Sequence, residues 1–354
     1  MRLMVRSRWL AGPLLVWGMV ASLTGAASHH RPADLLEVLV VERDTRRPVV
    51  NADVLNVGSG ERRLTNAEGR ARLPVRTGEL LHLRVRQLGY EPADATVPID
   101  AARLAAPLVV ALSRFGVLER STATASNACR GTADSLPSAL SLLALEQLRF
   151  GAEQYARFWD TYPFRLSFER RTAYFTPEGR PLTVIVRHEE SSRREWSDPY
   201  RAGHVVSGRG AASTAVPLSI QALSDPAFWE AHCLVARHVV TRDGRRMLPL
   251  EFLPALSLRD PDWGGIAWVD STTSELQRIE FQLIGLGEEM ELQRMEGFMT
   301  FVHPSPHIAR PDSILSLWWA RKTREGGAWP APTLVELVRI VGVRYLHDTP
   351  PAAP

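Results

Sequence analysis

Two histidines, His303 and His307, stand four residues apart in the segment HPSPH. On a helix that spacing would aim both imidazoles at one ion. Pro304 and Pro306 forbid the helix, and the segment itself brings no cysteine or carboxylate. It reads as a proline-stiffened turn, and no metal or other cofactor is expected. His232, Cys233 and His238 supply the residue types of a Cys–His nucleophile. A disulfide would consume that thiol, and Cys129 is the other cysteine of the chain. The Gly-x-Ser-x-Gly elbow of serine hydrolases is absent. Phosphate loops and dinucleotide fingerprints are absent as well; SGRGAAS lacks the flanking strand, helix and lysine. The charge run HEESSRRE (188–195) reads as a solvated loop.

The tryptophans are more suggestive. Half of the ten, Trp263, Trp268, Trp318, Trp319 and Trp329, fall between 263 and 329. Adjacent Trp318 and Trp319 must point to opposite faces of a strand. One suits a core; the other would face solvent, a cleft or another domain, where tryptophan is a common interaction anchor. The bland alternative buries both, one under the sheet and one under a loop. Trp263, Trp268, Trp318 and Trp319 are the expected ligand or interaction face.

These residues must be held by strands. In the first part of the chain, Leu81, Leu83 and Val85 alternate with His82, Arg84 and Arg86, the period-2 pattern of a half-buried strand. Ala71 and Leu73 repeat it between arginines. Val38 to Val41 is a continuous apolar run, as in a strand covered on both sides. Asp44–Pro48 and Asn66–Gly69 are turn clusters. Strands at about 8–12-residue spacing suggest a sandwich or barrel.

Pro48, Ala52 and Val54, then Thr65, Asn66 and Gly69, then Gly89 and Tyr90 occur in the order and spacing of the carboxypeptidase regulatory-like family. The resemblance spans residues 38–112. Asn66 stands where Asp is commoner, and either residue accepts the turn. The resemblance implies a seven-stranded, transthyretin-like β-sandwich at 36–114, an accessory module without catalysis. A metallocarboxypeptidase would need His-x-x-Glu, and none of the ten histidines has Glu three positions later.

Arg2, Arg6 and Arg8, the apolar run Leu10–Leu23 and the small residues 24–28 form a signal-peptide pattern over 1–28. A membrane anchor is the competing reading, but spanning needs about 20 apolar residues. The formal charge of +3 is accounted for by those three arginines. The remainder is neutral and offers no argument for nucleic acid or an anionic membrane. Export would place Cys129 and Cys233 in an oxidising compartment, where a disulfide is the natural state and two buried thiols the alternative. The bridge would close a loop of about 100 residues, for which chain entropy gives stabilisation of order 4–5 kcal/mol.

Residues 115–135 read as a linker rich in small polar residues. A helix follows, with Asp134 or Ser135 as cap, Pro137 in its first turn, and Leu136, Leu140, Leu143 and Gln147 on one face; Gly151 weakens its end. From Phe164 strands return. A hairpin is expected over 164–188 and a second around Asp270–Ser274, with further strands at 297–302, 313–322 and 334–345. Residues 347–354 read as a disordered tail. Gly265, Trp268, Val269, Asp270, Ile279 and Phe281 make 136–346 loosely similar to the curved sheets of periplasmic lipoprotein carriers. This part also resembles the C-terminal part of bacterial envelope proteins that carry the regulatory-like module, a likeness that brings no assigned activity.

The chain is therefore expected to be mainly β, a transthyretin-like sandwich followed by a curved antiparallel sheet with one preceding helix. The expected function is a non-catalytic binding or interaction role in the periplasm or cell envelope, for a protein, a glycan or an apolar ligand. A hydrolase using distant His and Asp/Glu residues, and a scaffold, are the alternatives.

Overall fold

The computed structural model describes residues 34–354, apart from 116–138, 177, 192–199, 208–213, 216–217, 256–257, 289, 322–329 and 353–354. The signal-like segment 1–28, nearly all of the linker, Cys129 and Trp329 lie outside the described residues.

Seven strands open the described chain: β1 (Asp34–Glu42), β2 (Asp53–Asn56), β3 (Arg62–Leu64), β4 (Arg70–Val75), β5 (Leu80–Arg86), β6 (Ala93–Pro98) and, after the short helix α1 (Ala101–Leu104), β7 (Leu108–Leu112). They form two sheets, β4-β1-β7 and β3-β2-β5-β6. All pairs are antiparallel except β1 with β7. The alternation in β5 works as its sequence demands. Leu81, Leu83 and Val85 are buried in a cluster with Leu36, Val38 and Leu73 from the facing sheet, and His82 and Arg84 are exposed. Thr65 ties the turns by accepting from Ala52 N at 2.8 Å and donating to Val49 O at 2.6 Å. Gly69 is required there: its φ is +71°, and a Cβ would collide with Val40 O.

Helix α2 (Ala139–Thr161) follows. It carries two stripes. Ala144, Leu148, Ala152, Tyr155 and Trp159 pack into the core of a second sheet. Gln147, Phe150, Gln154 and Arg157, at i, i+3, i+7 and i+10, meet the sandwich instead. The helix does not weaken at Gly151 as its sequence suggests. The glycine costs about 1 kcal/mol relative to alanine, and the apolar stripe continuing to Trp159 outweighs it.

The second sheet uses β8 (Phe164–Phe175), β9 (Pro181–Ser191), β12 (His232–Ala236), β13 (Val240–Arg242), β14 (Arg245–Pro254), β15 (Asp262–Asp270), β16 (Leu276–Ile284), β17 (Leu292–Ser305), β18 (Ile308–Ala320) and β19 (Leu334–Tyr345). Between β9 and β12 lie a two-residue pair, β10 (Val206–Ser207) with β11 (Thr214–Ala215), a 3-10 turn (Ile220–Ser224) and helix α3 (Pro226–Glu230). The strand order is β12-β14-β15-β16-β17-β18-β19-β8-β9, with β13 also on β14, and every pair is antiparallel. The expected hairpins and the strand 334–345 are present. The strands β12 to β14 are not among those expected from the sequence; β14 contains Pro249, and proline argues against a central strand. Pro249 sits where the neighbour of β14 changes from β13, paired at Met247, to β12, paired at Leu250.

One row of residues sets the bend. Phe252, Gly265, Phe281, Gly297 and Ser316 are consecutive cross-strand partners from β14 to β18. A Cβ on Gly265 would strike Glu280 O and the Phe252 ring. One on Gly297 would strike Leu315 O and the Phe281 ring. Glycine lets the neighbouring backbones close in, and each aromatic ring covers the glycine beside it, the device by which sheets are curved.

Candidate functional site

The second sheet has a covered face and an uncovered one. The core lies between the sheet and α2, α3 and the 3-10 turn, and it contains Trp263, Ala267, Ile279, Phe281, Met295 and Met299. Alternation sends Ile266, Trp268, Arg278, Glu280, Phe298 and Trp319 to the opposite side. There an open trough of about 340 Å³ runs between Ile266, Phe298, Leu315 and Leu317, edged by Arg278, Glu280 and Glu296.

The four expected tryptophans do not share a face. Trp263 is 1% exposed and packs edge-on against Phe281, ring centroids 5.3 Å apart. Trp318 is half-buried against the same core. Trp319, 7% exposed, and Trp268, half-buried, lie on the side away from that core, each beneath a guanidinium: Arg294 is 4.7 Å from the Trp319 ring and Arg242 4.4 Å from that of Trp268. Arg278 lies 3.7 Å over Phe298 in the same way. These arginines are held by acids, Arg242 and Arg278 each at 2.9 Å from Glu280 and Arg294 at 2.5 Å from Glu296. Burial works against the Glu280 charge, but its hydrogen bonds hold the carboxyl below the usual range. The expectation of one tryptophan face is corrected to a split. Core packing takes Trp263 and Trp318; on the other side Trp319 is buried beneath Arg294 and Trp268 is half-buried beneath Arg242. The arginines were hidden in the sequence because each belongs to a different strand from its ring.

The apolar character continues sideways. From Phe298 the row runs through Leu315 and Leu337 past Arg171 to Val186; from Leu317 it runs through Val335 and Ala173 to Val184. It ends on β9, an edge strand whose other side has no partner strand among the described residues. Leu182 is 65% and Val184 60% exposed there.

The histidines fall in two places. In β12, His232 is buried, stacked on Phe228 at 4.0 Å, and its ring nitrogens meet Phe228 O at 2.5 Å and Trp263 O at 2.7 Å. Asp262, 4.0 Å away, accepts from Tyr200 Oη at 2.6 Å and Gly203 N at 2.8 Å. Burial first, and then that hydrogen bond, push the Tyr200 hydroxyl far up. The cluster is a brace for the loop before α3. His238 is exposed beyond the end of β12. Among the described residues no cysteine is free. Cys233 is buried next to His232, but adjacent strand residues face opposite ways.

His303 and His307 meet at the junction with the sandwich. The residues Pro306–His307 form the two-residue turn of the β17–β18 hairpin, with His307 at φ +61°. His307 Nδ1 lies 3.5 Å and His303 Nε2 3.9 Å from the Glu275 carboxylate, beyond hydrogen-bond length. Burial holds both imidazoles below the ordinary histidine value, against the pull of Glu275. The Tyr90 ring stands edge-on to His307 at 6.4 Å. Nearby, a cavity of about 10 Å³ between Leu88, Gln147, Leu276 and His307 is at the lower limit for one water. Among the described residues no group of three or more His, Cys, Asp or Glu side chains is arranged to hold a metal ion.

No family model matches the chain, and no curated protein matches it. Two solved structures are similar over part of it. One is a domain from Vibrio parahaemolyticus described as an outer membrane lipoprotein-sorting protein, with 11% identity and a TM-score of 0.31 over 58% of this chain and 94% of that one. The other is a DUF1329 family protein from Desulfovibrio piger, with 12% identity and a TM-score of 0.31 over 59% of this chain and 94% of that one. At that level neither carries a conclusion about this chain's function.

Proposed function

We propose that the chain is an exported cell-envelope protein with a non-catalytic binding role, and that it binds a partner protein through the uncovered face of its second sheet. The observation that carries this reading is the half-exposed apolar belt that crosses that face and ends on β9, whose outer edge has no partner strand among the described residues. An open belt beside a free strand edge suits an extended polypeptide. The edge offers main-chain hydrogen bonds, and Val184, Val186, Leu315 and Leu317 offer apolar contacts. The Arg–aromatic pairs at its far end are of the residue types that dominate binding hot spots. Contiguous exposed apolar surface of this kind marks interaction sites.

Export rests on the 1–28 pattern. The seven strands in two sheets, and Tyr90 buried at the end of the Gly89–Tyr90 turn, support reading the first part as a regulatory-like module. A Cys129–Cys233 bridge belongs to the same proposal. Titration of the denatured, unreduced protein should find no thiol, and finding two would remove it. The hydrolase alternative has less support: the three His–carboxylate pairs described above are largely buried and lie beyond hydrogen-bond length.

The test is site-specific photo-crosslinking in the native host, with the probe at Val184 or Leu317 and a control probe at Arg72 on the sandwich. A defined protein adduct at the belt positions, lost in Val186→Asp, is the expected result. Equal adducts at the control, or none at the belt, would overturn the reading.

A further inference from the structure

Arg310 sits near the start of β18, where Ile308, Ala309 and Arg310 are buried in succession because the register with β17 slips between Val302 and Ser305. It is 9% exposed. A guanidinium has five N–H donors and no acceptor. Here Nη1 donates to Pro311 O at 3.2 Å, and Nε is buried with no acceptor. Arg310 makes no ion pair among the described residues. The titratable groups that reach it are Tyr155 on α2, Asp312 on its own strand and Tyr345 on β19. Burial outweighs them and holds the guanidinium below the usual arginine value.

Arg86 and Arg157 at the sandwich junction are matched by carboxylates. Arg157, 20% exposed at the side chain, has two carboxylates within 2.9 Å. Arg310 is more deeply buried and has none. A buried charge is tolerated when paired and is costly alone. The edge left open, Nε with Nη2, is one that a carboxylate or phosphate can engage with two parallel hydrogen bonds.

We propose that Arg310 is an oxyanion-binding residue, taking a carboxylate or phosphate group between α2 and β19, on the face of the sheet opposite the apolar belt. The shared chemistry is an anionic group that presents two oxygens as a bidentate hydrogen-bond acceptor. It has two sources, a small free anion or the head of an acyl-chain amphiphile.

Thermal unfolding of the purified chain in chloride, phosphate, acetate and decanoate, at matched pH and ionic strength, tests it. The expected result is a saturable rise of a few degrees in Tm with at least one oxyanion over chloride, absent in Arg310→Met and partly kept in Arg310→Lys. Phosphate or acetate alone indicates a free anion, and decanoate above acetate an amphiphile head. An equal response of wild type in all four salts, or the same rise in Arg310→Met, overturns the proposal. Should Arg310→Met fail to fold, the Arg310 Nε–H resonance of the wild type serves. It shifts on titration with the effective anion, and an unmoved resonance overturns the assignment.

Discussion

Asn51 donates a hydrogen bond to Ser305 Oγ at 2.8 Å, joining two residues 254 positions apart. The same amide reaches Pro306 O at 2.8 Å, so one side chain of the sandwich holds the tip of the β17–β18 hairpin. Asn51 adopts φ +56°, a region that Asn enters more readily than most residues. Its backbone carbonyl accepts from Gln154 of α2 at 3.0 Å. Asn51→Ala loses the bonds and adds backbone strain, and about 2–4 kcal/mol of stability should go with it. Asn51→Gly loses only the bonds and should cost less. Urea unfolding of the two variants separates the terms; equal losses would show that backbone strain contributes nothing.

Asp53 is fully buried and pairs with Arg157 at 2.9 Å, Arg86 at 3.4 Å and Arg62 at 3.6 Å. Removing one member of a buried ionic group strands the others. Asp53→Ala should therefore destabilise by about 3–5 kcal/mol, and adding Arg157→Met should restore part of the loss. A double-mutant cycle with no coupling would show that the group is solvated.

His303 and His307 both favour the neutral ring when folded, because burial outweighs the attraction of Glu275. Arg245 also disfavours the His303 charge, with Asp270 opposing; Arg114 disfavours that of His307. The unfolded chain thus binds more protons between the lowered folded value and the unfolded value near 6.5. Stability should be complete above that upper limit and fall as pH drops through it. His303→Gln combined with His307→Asn should flatten the slope of denaturation midpoint against pH between neutrality and pH 5. An unchanged slope would place the acid sensitivity elsewhere.

Gly297 and Gly60 separate space from backbone freedom. Gly60 has φ +74° and nothing near its missing Cβ, so Ala there should cost about 1–2 kcal/mol. At Gly297 the Cβ would meet a neighbouring carbonyl, and Gly297→Ala should cost at least about 3 kcal/mol. Trimming Phe281 to Leu should not rescue it, since the obstructing atom is backbone. Equal losses at the two sites, read from denaturant midpoints, would mean the sheet can flatten at little cost.

What could be read from the sequence follows from how local each signal is. The strand 334–345 and the hairpin turns at Gly179 and Asp270–Ser274 declare themselves through alternation and turn chemistry within about a dozen residues. The split of Trp318 and Trp319 was legible for the same reason. Glu275 beside His303 and His307 was not, because it comes from another hairpin. Arg278 and Glu280 could be read as outward-facing from the pattern of RIEFQL, but their roof over Phe298 depends on register. The strand through Pro249 was hidden by a proline whose missing donor falls at a gap between two partner strands.

β19 is bonded to β18 on one side and to β8 on the other. The hairpin β8–β9 is made early in the chain, yet it enters the sheet only through a strand that begins 170 residues after Phe164. Contacts of such long sequence separation close late and slowly. During synthesis the hairpin therefore waits with two bare edges until Leu334–Tyr345 has emerged. The order of synthesis makes this late strand the keystone, and the interval before it arrives is when the edge of β8 that it later covers is open to mispairing.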